Sequence, residues 1–186
     1  KGIDNLFKQI QNHIDTIKDA YLKELFTNMF SDETFINKFK EAPAAEKIHH
    51  DFVGGLMEHI LELLDLSDTV KKQYPEANYD LVKSGIILHD IGKTVELERI
   101  GTTFQRTTLG KIIGHLPISI EVTKEYLPED FPEDLWMHLW HILLSHHGLL
   151  EYGSPIVPKT IEAGIVHQLD YMSSKIRQYS KALSVA

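Results

Sequence analysis

The chain contains no cysteine. That absence excludes disulfides, zinc–thiolate sites and cysteine nucleophiles together, and it restricts any metal site to nitrogen and oxygen donors. No stretch approaches the ~20 continuous apolar residues of a membrane-spanning helix. The amphipathic opening, Lys1 to Ile17, lacks the apolar segment and cleavage site of a secretory signal, so the expected location is the cytoplasm. Positive charge is in short supply: 19 Lys and Arg stand against 27 Asp and Glu, for a formal net charge of −8. No strong basic surface for duplex nucleic acid is therefore expected, although a local basic groove is compatible with that total. The chain opens on Lys rather than Met, as expected of a processed product or a piece of a longer protein.

What is present is ordinary globular material, 42% hydrophobic and 25% charged over 186 residues, the size of one domain with a substantial core. Apolar residues recur at helical spacing from Leu6 to Phe26, which predicts one long amphipathic helix. Ser31-Asp32-Glu33 caps a second that stops before Pro43. Residues 1–47 are assigned to packing or to a linker, with amphipathic faces available for homo-oligomerisation.

Residues 48–186 carry the clustered chemistry. A third helix runs from Ile48 to about Tyr74-Pro75 and carries His59. A fourth ends at His89-Asp90, with Gly92 as the helix stop; a short buried strand over Gly85 to Leu88 is the competing reading. Thr94 to Thr108 is expected as a loop or short hairpin. Helices then follow from Leu109 to Tyr126, from Pro132 to His147 with Gly148 past its end, and from Thr160 to Tyr179. The fold class is all-α.

Eleven histidines are present, and the central ones fall in groups. His59, His89-Asp90, His115, His146-His147 and Asp170 are separated by 30, 25, 31 and 23 residues. Helix-sized spacing lets each of five helices send one group into a bundle interior, where metal sites of helical proteins are built. Imidazole and carboxylate together suit zinc, iron, manganese or nickel, while magnesium favours a more oxygen-rich set. A carboxylate such as Asp90 can also bridge two metals, which would let His115, His146 and His147 complete a second site.

The run His89-Asp90-Ile91-Gly92-Lys93, preceded by Gly54-Gly55-Leu56-Met57-Glu58-His59 and followed by Gly114-His115, Ser145-His146-His147-Gly148 and Asp170, resembles the HD superfamily of metal-dependent phosphohydrolases. Ile48-His49-His50 and the Glu151-Tyr152-Gly153-Ser154-Pro155 stretch bring it nearest the HD domain of YhaM-type 3′-to-5′ exoribonucleases. The resemblance implies an HD helical bundle with the metal site in its interior. It implies one or two divalent ions (Mn, Fe, Zn, Ni or Mg), the first on His59, His89, Asp90 and Asp170 and the second on Asp90, His115 and His146 with His147. Asp90 and Lys93 are the catalytic candidates, Lys93 by contact with the scissile phosphate; His50, Gly153 and Ser154 are substrate-binding candidates. The substrate expected is a nucleotide or short oligonucleotide. Two departures stand out: Ser173 occupies the place, one turn past Asp170, where that group is expected to carry a second acid, and no strand-rich segment supplies its oligonucleotide-binding barrel.

Other readings remain. A cyclic-dinucleotide phosphodiesterase is disfavoured because no Gly-Tyr-Pro follows the His-His pair; a nucleotidase or a di-iron oxygenase uses similar ligand types. A non-catalytic nucleotide-binding or regulatory module is the rival from another class. Lys93 also fits a helix C-terminal cation, His49 and His50 a cap, His13, His138, His141 and His167 packing, and Arg106 and Lys111 solvated charge.

Overall fold

Ten α-helices and one β-hairpin make up the described residues, 2–45 and 53–185, of the computed structural model. In chain order they are α1 (Ile3–Asp15), α2 (Ala20–Met29), α3 (Glu33–Glu41), α4 (Gly55–Gln73), α5 (Tyr79–Leu88) and the short α6 (Lys93–Glu96). The hairpin β1 (Leu97–Ile100) and β2 (Thr103–Arg106) follows, then α7 (Thr108–Ile113), α8 (His115–Glu125), α9 (Glu133–Ser145) and α10 (Ile161–Val185). No helix among the described residues is long and apolar enough to cross a membrane.

Two expected helices are each broken in two. Asp19 interrupts the first stretch by accepting the Tyr21 and Leu22 amides and capping α2, so the apolar period continues across a corner. Gly114, at φ 83°, separates α7 from α8. The last helix runs past Tyr179 to Val185. The segment after α6 is the hairpin, with Leu97 opposite Arg106.

Gly92 does not act as the expected helix stop. Its φ is −61°, ordinary right-handed backbone, and the chain winds on through turns into α6. Glycine is needed there for close approach: a Cβ would stand 2.4 Å from the His115 carbonyl oxygen and 2.6 Å from the Ser119 amide nitrogen. The Gly92 N–H donates to Ser119 Oγ at 2.8 Å, tying the turn to α8.

The core is one contiguous cluster drawn from nearly every helix. Leu56, Met57, Ile60, Leu63 and Leu64 of α4 and Val82, Ile86, Ile87 and Leu88 of α5 are wholly inside. Burying each such side chain stabilises by roughly 1.5–3 kcal/mol. α5 is covered on all sides, which explains its continuous apolar run, and Gly85 lets α9 and α10 close on it: a Cβ there would meet Ile142 Cγ2 at 2.5 Å. The helices of residues 1–47 join the same cluster through Leu6, Ile10, Leu22, Phe26 and Phe39.

Candidate metal centre

Helix ends, more than helix faces, position the site. His89 is the C-terminal cap of α5, and its Nδ1 bonds the Ile86 carbonyl at 2.6 Å. His146 caps α9 in the same way, with Nδ1 on the Leu143 carbonyl at 2.7 Å. Since a carbonyl only accepts, both Nδ1 atoms carry a proton, which leaves Nε2 as the atom each ring would offer to a metal.

Asp90 lies at the centre. Its Oδ2 is 3.2 Å from His89 Nε2 and 3.1 Å from Lys93 Nζ, and its Oδ1 is 3.4 Å from His115 Nε2 and 3.7 Å from His146 Nε2. On the other side, His59 Nε2 of α4 meets Asp170 Oδ1 of α10 at 2.8 Å, and His89 Nε2 lies 3.6 Å from the same oxygen. Two ligand-like groups result, His59-His89-Asp90 and His115-His146-His147, each with candidate donor atoms within 4.8 Å of one another.

The donor set fits a divalent ion. The Nε2 atoms of His89, His115 and His146 are buried without any hydrogen-bond partner among the described residues, a costly arrangement for polar atoms unless something else satisfies them. The electrostatics differ from ring to ring. Burial pushes the His89 ring down, but Asp90 and Asp170 outweigh it and lift its pKa to about 10. Burial pushes His146 down to about 3, reinforced by His89, and pushes His147 down as well. Against burial, His89 and Lys93 hold Asp90 well below the usual carboxylate range, and His59 and His89 do the same for Asp170.

Every metal-ligand candidate within the described residues is thus brought to one place, and Lys93 with them: its Nζ also donates to the Ala44 carbonyl. A groove of about 800 Å³ opens onto Asp90, Lys93, His115, His147 and Asp170 and continues along α10 past Ser174, Arg177 and Lys181. Gly153 and Ser154 stand apart from it. Gly153 is exposed at φ 95°, and Ser154 is buried with its Oγ accepting the Gly148 N–H at 3.1 Å, which fixes the turn after His147. His49 and His50 lie outside the described residues.

His13, His141 and His167 make hydrogen bonds outside the cluster. His13 bonds Asp65 at 2.8 Å, and His141 Nε2 accepts the Lys159 amide at 3.0 Å. His167 donates through Nδ1 to the His146 carbonyl at 2.9 Å and covers Gly148.

Two acids were not singled out from the sequence. Glu96, only 4% exposed, places Oε2 3.3 Å from His115 Nδ1. Glu62, one turn after His59 on α4, accepts from the buried Ser173 hydroxyl, whose Oγ is 3.4 Å from His59 Nδ1. Glu62 therefore brings a carboxylate to the neighbourhood where Ser173 stands in place of an expected acid. Its i+3 position from His59 was the available signal.

The HD domain family matches residues 56–175. The 3′-5′ exoribonuclease YhaM of Listeria welshimeri serovar 6b is 36% identical over 182 residues, 97% of this chain and 57% of that protein. The chain therefore spans little more than half the length of this curated relative. No solved structure matches.

Proposed function

The chain belongs to the HD-domain family, and from that premise we propose that it hydrolyses phosphoesters of nucleotides or short oligonucleotides with one or two divalent ions. The observation carrying this reading is the trio of buried, unpartnered Nε2 atoms around the Asp90 carboxylate. His59, His89, Asp90 and Asp170 would hold the first ion, and Asp90, His115, His146 and His147 the second. The nitrogen-rich set favours manganese, iron, zinc or nickel over magnesium. A bound ion supplies Lewis acidity toward the phosphoryl oxygens and acidifies the attacking water.

The chain's own residues do the rest. Asp90 and Asp170 keep their negative charge in the site and orient the donors. Lys93, 3.1 Å from Asp90 Oδ2 and on the groove wall, offers its ammonium to a non-bridging phosphate oxygen, where charge grows during displacement. Ser174, Arg177 and Lys181 extend the groove along one side of α10, giving room and charge for more than a single nucleotide. That extension and the YhaM relative support the finer reading, the HD part of a 3′-to-5′ exoribonuclease.

Metal content per chain, with hydrolysis of bis-p-nitrophenyl phosphate and of a 5′-labelled oligoribonucleotide, tests the proposal in wild type and Asp90→Ala. The expected result is one or two ions and cleavage that fall away together in the variant. A chain that binds metal and nucleotide without turnover is the regulatory module instead, and one that binds no metal after reconstitution refutes the site.

A further inference from the structure

Among the described residues, Glu96 is a buried carboxylate beside the ligand cluster that the proposed hydrolysis does not use. It closes α6, where the chain leaves the Asp90 turn for the hairpin. Its backbone carbonyl accepts the Thr107 N–H at 2.8 Å, and α7 lies flush over it: a Cβ on Gly110 would stand 2.8 Å from Glu96 Cγ. The side chain is thus clamped, with little freedom to turn away. On its outer side Oε1 is 3.9 Å from Arg106 Nε. On its inner side Oε2 is buried and lacks a hydrogen-bond partner, and His115 Nδ1 is 3.3 Å away.

His115 differs in one respect from His89 and His146, the other two imidazoles whose Nε2 is buried without a partner. The Nδ1 atoms of His89 and His146 are held by carbonyls of their own helices. His115 opens α8 directly after Gly114, whose φ of 83° breaks the chain away from the last turn of α7, and no carbonyl three residues back holds its ring among the described residues. We infer that Glu96 is the positioning residue for His115, its Oε2 accepting the Nδ1 proton so that Nε2 faces Asp90 as a lone-pair donor. At 3.3 Å the two atoms already stand within hydrogen-bonding distance of one another. A carboxylate behind a ligand imidazole fixes its tautomer and orientation and raises its basicity, and losing one costs ~10–100-fold in metal affinity. This rests on the metal reading above, yet the tautomer part concerns the metal-free chain.

The test uses the full chain as wild type, Glu96→Met, which removes the acceptor at similar volume, and Glu96→Gln, which keeps an acceptor without the charge. Long-range ¹H–¹⁵N NMR of the metal-free chain reads the His115 tautomer. Manganese titration then reads the two sites. The expected result is the Nδ1–H tautomer in wild type and Gln, its loss in Met, and ~10–100-fold weaker manganese binding on the His115 side in Met with the His59 side unchanged. A wild-type His115 carrying its proton on Nε2 overturns the inference even if the Met variant does not fold, as does a folded Met variant with wild-type tautomer and affinities. Wild type that takes up no manganese refutes the metal reading instead, and the tautomer still decides the role of Glu96.

Discussion

Gly92→Ala is the most direct probe of how the fold aims its candidate ligands. The backbone there, φ −61°, accepts alanine without strain. The added methyl does not fit, because it would lie 2.4 Å from the His115 carbonyl oxygen, 2.6 Å from Ser119 N and 2.7 Å from Ser119 Oγ. Ordinary packing needs roughly 1 Å more. Two of the three atoms are backbone of α8, so the helix must move or the Asp90 turn must, and the 2.8 Å bond from Gly92 N–H to Ser119 Oγ is broken or stretched. Overpacking of this kind costs ~1–3 kcal/mol, which for a chain of this size lowers Tm by about 2–10 °C. His115 is the first residue of α8 and faces Asp90 at 3.4 Å, so the same shift misplaces it. A ~1 Å error at a reacting centre costs up to ~10²-fold in rate. Thermal melting, manganese stoichiometry and diester hydrolysis should thus show a modestly destabilised protein with a weakened second ion and strongly reduced turnover. Gly164→Ala is the control: nothing stands within 4 Å of its Cβ, and in the interior of α10 alanine should hold or raise Tm. A Gly92→Ala protein with wild-type melting, metal and rate would refute the argument that this glycine sets the α6–α8 approach.

Lys93→Met should leave metal content intact while lowering kcat by ~10²–10³-fold, the usual cost of removing one charge-stabilising donor; a parallel drop in metal would make Lys93 a support for Asp90 instead. Arg177→Ala with Lys181→Ala should slow cleavage of an oligoribonucleotide more than of bis-p-nitrophenyl phosphate, and should flatten the slope of log affinity against log salt by ~0.7 for each phosphate that is no longer neutralised; equal effects on both substrates argue against a track along α10. Tyr126 donates to Asp32 Oδ2 at 2.7 Å and thereby lowers the Asp32 pKa. A carboxylate with a depressed folded pKa contributes stability above its unfolded value of ~3.9 and loses it as pH falls through the folded value. The Tm gap between wild type and Tyr126→Phe should therefore be full near neutrality and shrink in acid; a gap that grows in acid contradicts the sign.

The grouping of the candidate ligands was legible because His89, Asp90, His115, His146 and His147 lie at or just past helix ends, and helix ends leave marks in sequence. His89 and His146 each follow an apolar run that stops, and the separations between groups leave room for a helix and its connection. What escaped was set by turns that bring distant segments together. The apolar period runs through the corners at Asp19 and Gly114 as if they were helix interior, because both halves pack on the same core. Gly92 reads locally as a stop, and only the proximity of α8 reveals that it is a spacer. Glu96 looks like one more charge before a hairpin until α7 folds over it. Ser173 marks an expected acid as missing, whereas α4 brings in Glu62 from across the helix pair.

These unforeseen acids follow one pattern. His59 and His115 stand at the two outer flanks of the cluster, and among the described residues neither bonds a helical carbonyl of the kind that holds His89 and His146. Beside His59 stand Ser173 and, through it, Glu62; beside His115 stands Glu96. The inner imidazoles are oriented by neutral backbone acceptors, which adds no charge where Asp90 and Asp170 already crowd negative charge. The outer pair can be backed by carboxylates because Arg177 faces Glu62 at 3.4 Å and Arg106 faces Glu96 at 3.9 Å. Acidic support at the flanks, matched by outward arginines, is thus how a chain of net charge −8 can accommodate four carboxylates near one centre.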